Sequence, residues 1–219
     1  MSTERTFALE RFYFGNFIRN GQPVGQPTLL ARSAGITPAQ AQEALTVARL
    51  KPPDIDASHP DMPSALGFYR TPHFGALVVK AQRTPESYPQ LLYLFIPDEA
   101  LRWLGGNYTL FEALGHEEMR PFERPRYDLP PLMLTNPLPI PDADQIEFLY
   151  DLVMYSGDDL KNIEGLVAAL VNNHPLLIVN APPNLHQRMS FLYGLLGMLP
   201  VPARVGLTWI SESDRPSPP

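Results

Sequence analysis

Leu91-Leu92-Tyr93-Leu94-Phe95-Ile96 sets six large apolar residues in a row with no polar break. A strand with one wet face alternates polar and apolar side chains, so an unbroken run of this kind reads as a central strand covered on both faces. Its neighbours follow. Leu66 to Thr71 and Phe74 to Arg83 read as strands leading into it through turns at Pro72 and Pro85, an antiparallel meander. Upstream, Thr6 to Ile18 is rich in aromatic and β-branched residues and runs into Asn20-Gly21, a hairpin signal, so a partner strand is expected near Thr28 to Arg32.

Between these strands Thr37-Pro38-Ala39-Gln40 supplies an N-cap, a proline at the first helical position and a glutamine in the capping-box place. Ala41, Ala44, Leu45 and Ala48 then make one face of a helix that Pro52-Pro53 ends, before a polar loop at 54–63. Asp98 is expected to cap a short helix that Gly105-Gly106 stops, and Tyr108 to Leu114 reads as another. From Pro121 to Pro141 seven prolines fall in 21 residues, a poor fit to helix or central strand. With Phe122, Tyr127, Leu132, Met133 and Leu134 among them, the stretch reads as an ordered crossing segment.

Beyond it the pattern turns helical. Ile146, Leu149, Tyr150 and Val153 mark one amphipathic helix, and Ile163, Leu166, Val167, Leu170 and Val171 the next. Leu176-Leu177-Ile178-Val179 reads as a buried strand, Leu185 to Leu199 as a helix apolar nearly all round, and Val205 to Ile210 as a further strand, a parallel βαβ unit. The fold class is therefore α+β. A mostly antiparallel N-terminal sheet with short helices (1–120) is expected to be followed by the crossing segment (121–141) and a smaller α/β part (142–211). Residues 212–219, ending Pro-Ser-Pro-Pro, read as a tail or the start of a linker, and the chain as the N-terminal part of a longer protein.

Composition removes whole classes of function. The 219 residues contain no Cys, which excludes thiol nucleophiles, thiolate metal sites and disulfides. Twenty-six prolines, where ordinary usage gives about 11, signal rigid turns in a chain whose apolar fraction of 44% is otherwise globular. No signal-peptide core and no membrane-length apolar run is present, so a cytoplasmic protein is expected, with no membrane partner. The 17 basic residues against 23 acidic ones, a net charge of −6, argue against nucleic acid as a partner. Residues 121–219 hold 6 basic and 11 acidic side chains, most of the imbalance lying between Asp142 and Glu164.

Four constellations have two readings each. The loop Asn180-Ala181-Pro182-Pro183-Asn184 lies between a predicted strand and a helix N-terminus, where a phosphate cradle would use Asn180, Asn184 and Arg188. It lacks the Gly and Lys of the phosphate-loop pattern, and the plainer reading is Asn184 as a helix cap. Asp158 and Asp159, with Asp142, Asp144, Glu147, Asp151 and Glu164, would supply oxygen ligands to a metal ion or a carboxylate pair for acid/base work. The plainer reading is that Asp142 with Asp144, and Asp158 with Asp159, answer helix dipoles on a solvated face, which is compatible with an acidic surface for a basic partner. Among the histidines, His116-Glu117 opens a zinc-protease pattern whose second His would stand at Arg120, so the pattern fails, and His174 suits a helix C-terminus. Phe12-Tyr13-Phe14 with Phe17 reads as core strand rather than a base-stacking platform, since no Lys is interleaved. No set of nucleophile, base and oxyanion donor is legible, and no catalytic residue, cofactor or metal is assigned.

One stretch carries a resemblance. Ser190-Phe191-Leu192-Tyr193-Gly194-Leu195-Leu196-Gly197-Met198-Leu199-Pro200, then Ala203-Arg204 and Leu207-Thr208-Trp209-Ile210-Ser211, resembles the middle region of the bacterial GTPase-associated protein family. There a Leu-rich helix ends in Leu-Pro and an Arg-x-x-Leu-Ser/Thr-Phe-Ser-Thr strand follows; Trp209 stands in place of the usual Phe, and Glu212 where Thr is common. Ser33-Ala34-Gly35-Ile36-Thr37 and the strand from Leu91 to Pro97 are similar to the family's N-terminal β-rich region. The resemblance implies a non-catalytic adaptor with a protein partner, a small GTPase. Two other functions are carried beside it, a nucleotide-dependent hydrolase or nucleotide-binding protein using the 180–188 loop, and a structural subunit of a larger assembly.

Overall fold

The structure of the protein, a computed structural model, describes residues 5–50, 64–71, 73–83, 89–108, 121–135, 141–179, 181–182 and 184–211. The run that opened the sequence reading lies in strand β6 (Pro89–Ile96), the fourth of seven strands in one sheet. Leu92, Leu94 and Ile96 enter one core, and Tyr93 and Phe95 the other, so both faces are covered as an unbroken apolar strand requires. β4 (Ser64–Arg70) and β5 (Ala76–Arg83) complete the meander in antiparallel register.

On the other side of β6 runs β2 (Arg11–Arg19), which turns into β3 (Gln22–Ser33). Arg19 pairs with Gln22 across Asn20 (φ 50°) and Gly21 (φ 72°), a two-residue turn with both central residues left-handed, the hairpin that Asn-Gly favours. The single strand expected over Thr6 to Ile18 is broken at Glu10. Its first piece, β1 (Thr6–Leu9), leaves the main sheet to pair with β8 (Leu132–Thr135).

The proline-rich segment contributes strands of its own. β7 (Arg126–Leu129) lies parallel to β3 at one edge of the sheet, with Pro130-Pro131 between it and β8. The prolines sit between strands, where no ladder amide is lost. Ile18 N donates to Phe122 O at 2.9 Å, and the buried Arg11 donates through Nε to Pro130 O at 3.1 Å, tying the crossing segment to the hairpin. The far edge is closed by β9 (Trp209–Ile210), antiparallel to β4, giving the order β7-β3-β2-β6-β5-β4-β9. Strands from both sides of the expected 120 and 142 boundaries thus share one sheet. The mixed, mostly antiparallel α+β architecture is as the sequence implies.

Helices cover both faces. α1 (Pro38–Val47) starts at the expected capping box: Thr37 Oγ1 accepts from Gln40 N at 3.2 Å, and Gln40 Oε1 accepts from Thr37 N at 2.8 Å. Its Ala41, Ala44 and Ala48 pack on the Tyr93 face. α2 (Asp98–Leu104) is stopped by Gly105 in the left-handed region (φ 59°). Pro97 rather than Asp98 is its N-cap; the Asp98 carboxylate, one residue inside, instead pairs with Arg70 at 3.0 Å. The helix expected over Tyr108 to Leu114 lies outside the described residues, apart from Tyr108.

α3 (Asp142–Tyr155), α4 (Leu160–Val171) and α5 (Leu185–Gly197) pack together around Leu152, Ile163, Phe191 and Leu195, while Met189, Tyr193 and Leu196 of α5 enter the Leu92 face of the sheet. The α3 face differs from the expected one. Phe148 and Leu152 turn inward, leaving Ile146, Leu149 and Tyr150 exposed. Both stripes recur at helical spacing, and hydrophobic period alone cannot choose between them. No helix of the described residues is long and apolar enough to cross a membrane.

The end of α1 is held by two phenols. Tyr93 donates its hydroxyl to Ala48 O at 3.0 Å, and Tyr69 donates to Arg49 O at 3.3 Å. Burial pushes the Tyr69 pKa up to about 12; burial, with repulsion from Tyr69, raises Tyr93 further. An unfolded tyrosine ionises near pH 10, so above that pH the unfolded chain loses protons the folded one keeps. Stability is therefore expected to hold up to about pH 10 and to fall as pH rises through about 12. The far-UV circular dichroism is expected to be lost together with ionisation of these two phenols, identified as the absorbance missing from Tyr69→Phe and Tyr93→Phe, and their titration near pH 10 in the folded protein would contradict this.

Candidate functional site

The site begins where α4 ends. Asn173 is left-handed (φ 56°), Asn173 N donates to Leu170 O at 3.1 Å and His174 N to Ala169 O at 2.9 Å, the paired bonds of a Schellman termination. Pro175 forbids a further turn. The chain is thrown into Leu176-Leu177-Ile178-Val179, which is neither buried nor a strand: Leu177 is 49% exposed and Val179 70%. None of the four makes a backbone hydrogen bond to a described residue. The parallel βαβ unit expected here does not form: 176–179 makes no ladder with a described strand, and the expected second strand is cut to β9, which pairs antiparallel with β4.

α5 then returns the chain to the sheet. Its cap is Asn184, whose Oδ1 accepts from His186 N at 2.7 Å. Its far end is closed by Arg204 from α6 (Val201–Arg204), which donates through Nε to Leu199 O at 2.6 Å and through Nη2 to Gly197 O at 2.8 Å. After α6, the hydroxyls that flank Trp209 and Ile210 finish the edge of β4. Thr208 Oγ1 accepts from Arg70 N at 3.1 Å, Ser211 Oγ accepts from Leu66 N at 2.9 Å, and Ser211 N donates to Leu66 O at 2.8 Å. The residues that carry the family resemblance thus cap a helix and seal a sheet edge in this chain.

These elements enclose a groove of about 710 Å³. Phe191, Leu195 and Trp209 line it from α5 and β9, Val47 from the end of α1, and Leu177 and Ile178 from the irregular run. Its charged lining residues among those described are Arg49 and Arg188, with His174 also in the wall; among the described residues no Asp or Glu lines it. A hollow of similar volume, about 720 Å³, lies along Pro121–Asp128, but it is walled by that one stretch alone. The groove joins four distant parts of the chain and is mostly apolar, the form that binding sites take.

The sequence-predicted site residues do not converge on one point. Arg188 lines the groove and donates through Nη1 to Pro182 O at 3.4 Å; Asn184, one turn earlier, is occupied with its helix cap; Asn180 lies outside the described residues. Asp159 is the N-cap of α4, its Oδ1 accepting from Lys161 N at 2.9 Å, and Asp158 is the left-handed residue (φ 56°) before it. Neither reaches the groove. No three His, Asp or Glu side chains among the described residues are placed to hold a metal ion. Ser190, buried in α5, donates to Asp151 of α3 at 2.5 Å and so clips two helices together.

Sequence reasoning missed the groove itself. Its walls are separated by up to about 160 residues, and the only local signal was an apolar tetrapeptide that reads equally well as buried strand. Comparison with family models, with curated proteins and with solved structures gives no match.

Proposed function

We propose that this chain is a non-catalytic interaction module, an adaptor that receives a protein partner in the groove beneath Leu176–Val179. The observation that carries the reading is an apolar groove whose wall is a run of large aliphatic side chains left uncovered by the rest of the fold. Exposed apolar surface rimmed by polar groups is the usual mark of an interaction site. The partner that the sequence resemblance implies is a small GTPase. A nucleotide cradle in the same loop is less well supported, since the Asn184 side chain already satisfies an amide of its own helix and Arg188 reaches back to Pro182.

The test is to immobilise the full chain, pass over it lysate of the source organism with GDP or a non-hydrolysable GTP analogue, and identify what is retained. One GTPase is expected, held preferentially in one nucleotide state and lost from Ile178→Asp. Ile178 is 40% exposed, so that change leaves the fold intact. No GTPase in either state would overturn the partner, and retention unaltered by Ile178→Asp would overturn the groove as the site.

A further inference from the structure

We infer that the groove takes an extended segment of a partner protein, apolar on one side and acidic on the other, which lies along Leu176–Val179 as an added strand. The inference rests on the interaction reading above and names the chemistry of the occupant. It stands on three observations that meet at one place.

The first is the state of the backbone. Leu-Leu-Ile-Val has the composition of a strand, yet residues 176–179 make no backbone hydrogen bond to any described residue. Unpaired amides and carbonyls beside exposed aliphatic side chains are the template that strand addition uses: main-chain bonds supply affinity, and pockets for alternate side chains supply selectivity. The second is the opposite wall. Among the described residues β9 is the last strand of the sheet and pairs only with β4, and both its residues line the same groove. A segment entering the groove therefore meets an apolar run that forms no ladder with a described strand, and the strand at the end of the described sheet.

The third is charge. In a chain with net charge −6, the charged residues lining the groove are Arg49 and Arg188, with His174 beside them and without a carboxylate among the described lining residues. A complementary occupant brings Asp or Glu between its apolar residues. The same argument separates a partner from a second copy. Two copies meeting groove to groove would each present a basic lining and lack the acidic complement, which disfavours self-pairing.

The experiment pans the full chain against a displayed library of random eight-residue peptides, then measures the enriched sequences by fluorescence anisotropy. Enriched peptides are expected to alternate aliphatic residues with Asp or Glu. Exchanging their acids for Lys, or making Arg188→Glu in the protein, is expected to weaken binding about tenfold, the factor that one charge-assisted contact supplies. Ile178→Pro removes an amide that makes no hydrogen bond to a described residue, so the thermal melt is expected to stay unchanged while peptide binding is lost.

Absence of enrichment, enrichment of basic or helically patterned peptides, or binding indifferent to Ile178→Pro would overturn the inference. A dimer seen by light scattering and lost in Ile178→Pro would assign the face to a second copy. Saturable binding of dodecanoate without peptide enrichment would assign it to a small amphipathic acid, and either result also overturns the inference. GTPase capture without peptide enrichment would sink strand addition and leave the adaptor reading standing. Peptide enrichment without GTPase capture would sink only the named partner.

Discussion

Trp209→Ala is expected to lower the free energy of unfolding by about 3–5 kcal/mol, the range for removing a buried aromatic side chain. Trp209 is 9% exposed and meets Phe68 with ring centroids 6.1 Å apart and Tyr108 at 5.4 Å, while Phe68 and Tyr108 meet at 4.7 Å. This trio fastens the two-residue strand β9 to the sheet, so the substitution removes apolar area and the anchor of an edge together. The indole Nε1 donates to no described residue, so among these the contacts of the side chain are apolar and aromatic. Trp209→Phe is expected to cost less, about 1–2 kcal/mol, because a phenyl ring keeps most of the aromatic area and leaves only a small cavity. Urea denaturation of the two variants checks this, and equal losses would show that a polar contact of the indole, rather than its area, matters.

The second large effect is expected at a glycine. Gly194 lies inside α5, where glycine costs about 1 kcal/mol relative to alanine, so its presence needs a reason. A Cβ there would stand 2.2 Å from Phe148 O and 2.8 Å from Leu152 Cβ, against the backbone of α3. The helices meet without a side chain between them, and one turn away Ser190 and Asp151 join the same pair. Gly194→Val is expected to force the helices apart and to cost about 3 kcal/mol, the upper end of overpacking penalties. Gly194→Ala is expected to cost less, because its helix propensity offsets part of the clash. A thermal melt of Gly194→Ala equal to or above that of the unaltered protein would mean that the helices do not approach so closely.

Local chemistry was legible wherever one short stretch determines one outcome. Asn20-Gly21 fixes a turn, Thr37 with Gln40 fixes a helix start, and Leu91 to Ile96 places a strand centrally because no other position hides both its faces. The failures share a cause of the opposite kind. Leu176–Val179 has a strand's composition, but whether a strand forms depends on a neighbour being brought alongside, and Trp209 and Ile210, 30 residues further on, are instead laid antiparallel against β4. α3 carries two apolar stripes, and only the position of α5 decides that Phe148 and Leu152 are the buried one. Arg188, the cation nearest the 180–184 loop in the sequence, lines a groove whose other basic members, Arg49 and His174, no motif joins to it.

The edge of the sheet also sets a schedule for synthesis. Leu66 and Ser211, whose hydrogen bonds close β4, are 145 positions apart. At about 5–20 residues per second a ribosome needs roughly 7–30 s to pass from one to the other. Once Ile96 has been made the meander can form except for its outermost ladder, and for the rest of that interval the amides of Leu66 and Arg70 await Ser211 and Thr208. Neighbouring chains on one messenger carry the same open edge at the same time, a setting in which edge-to-edge pairing competes with folding. Yield in the cell is therefore expected to respond to elongation rate and to chaperones that shelter strand edges, even for variants whose finished fold is fully stable.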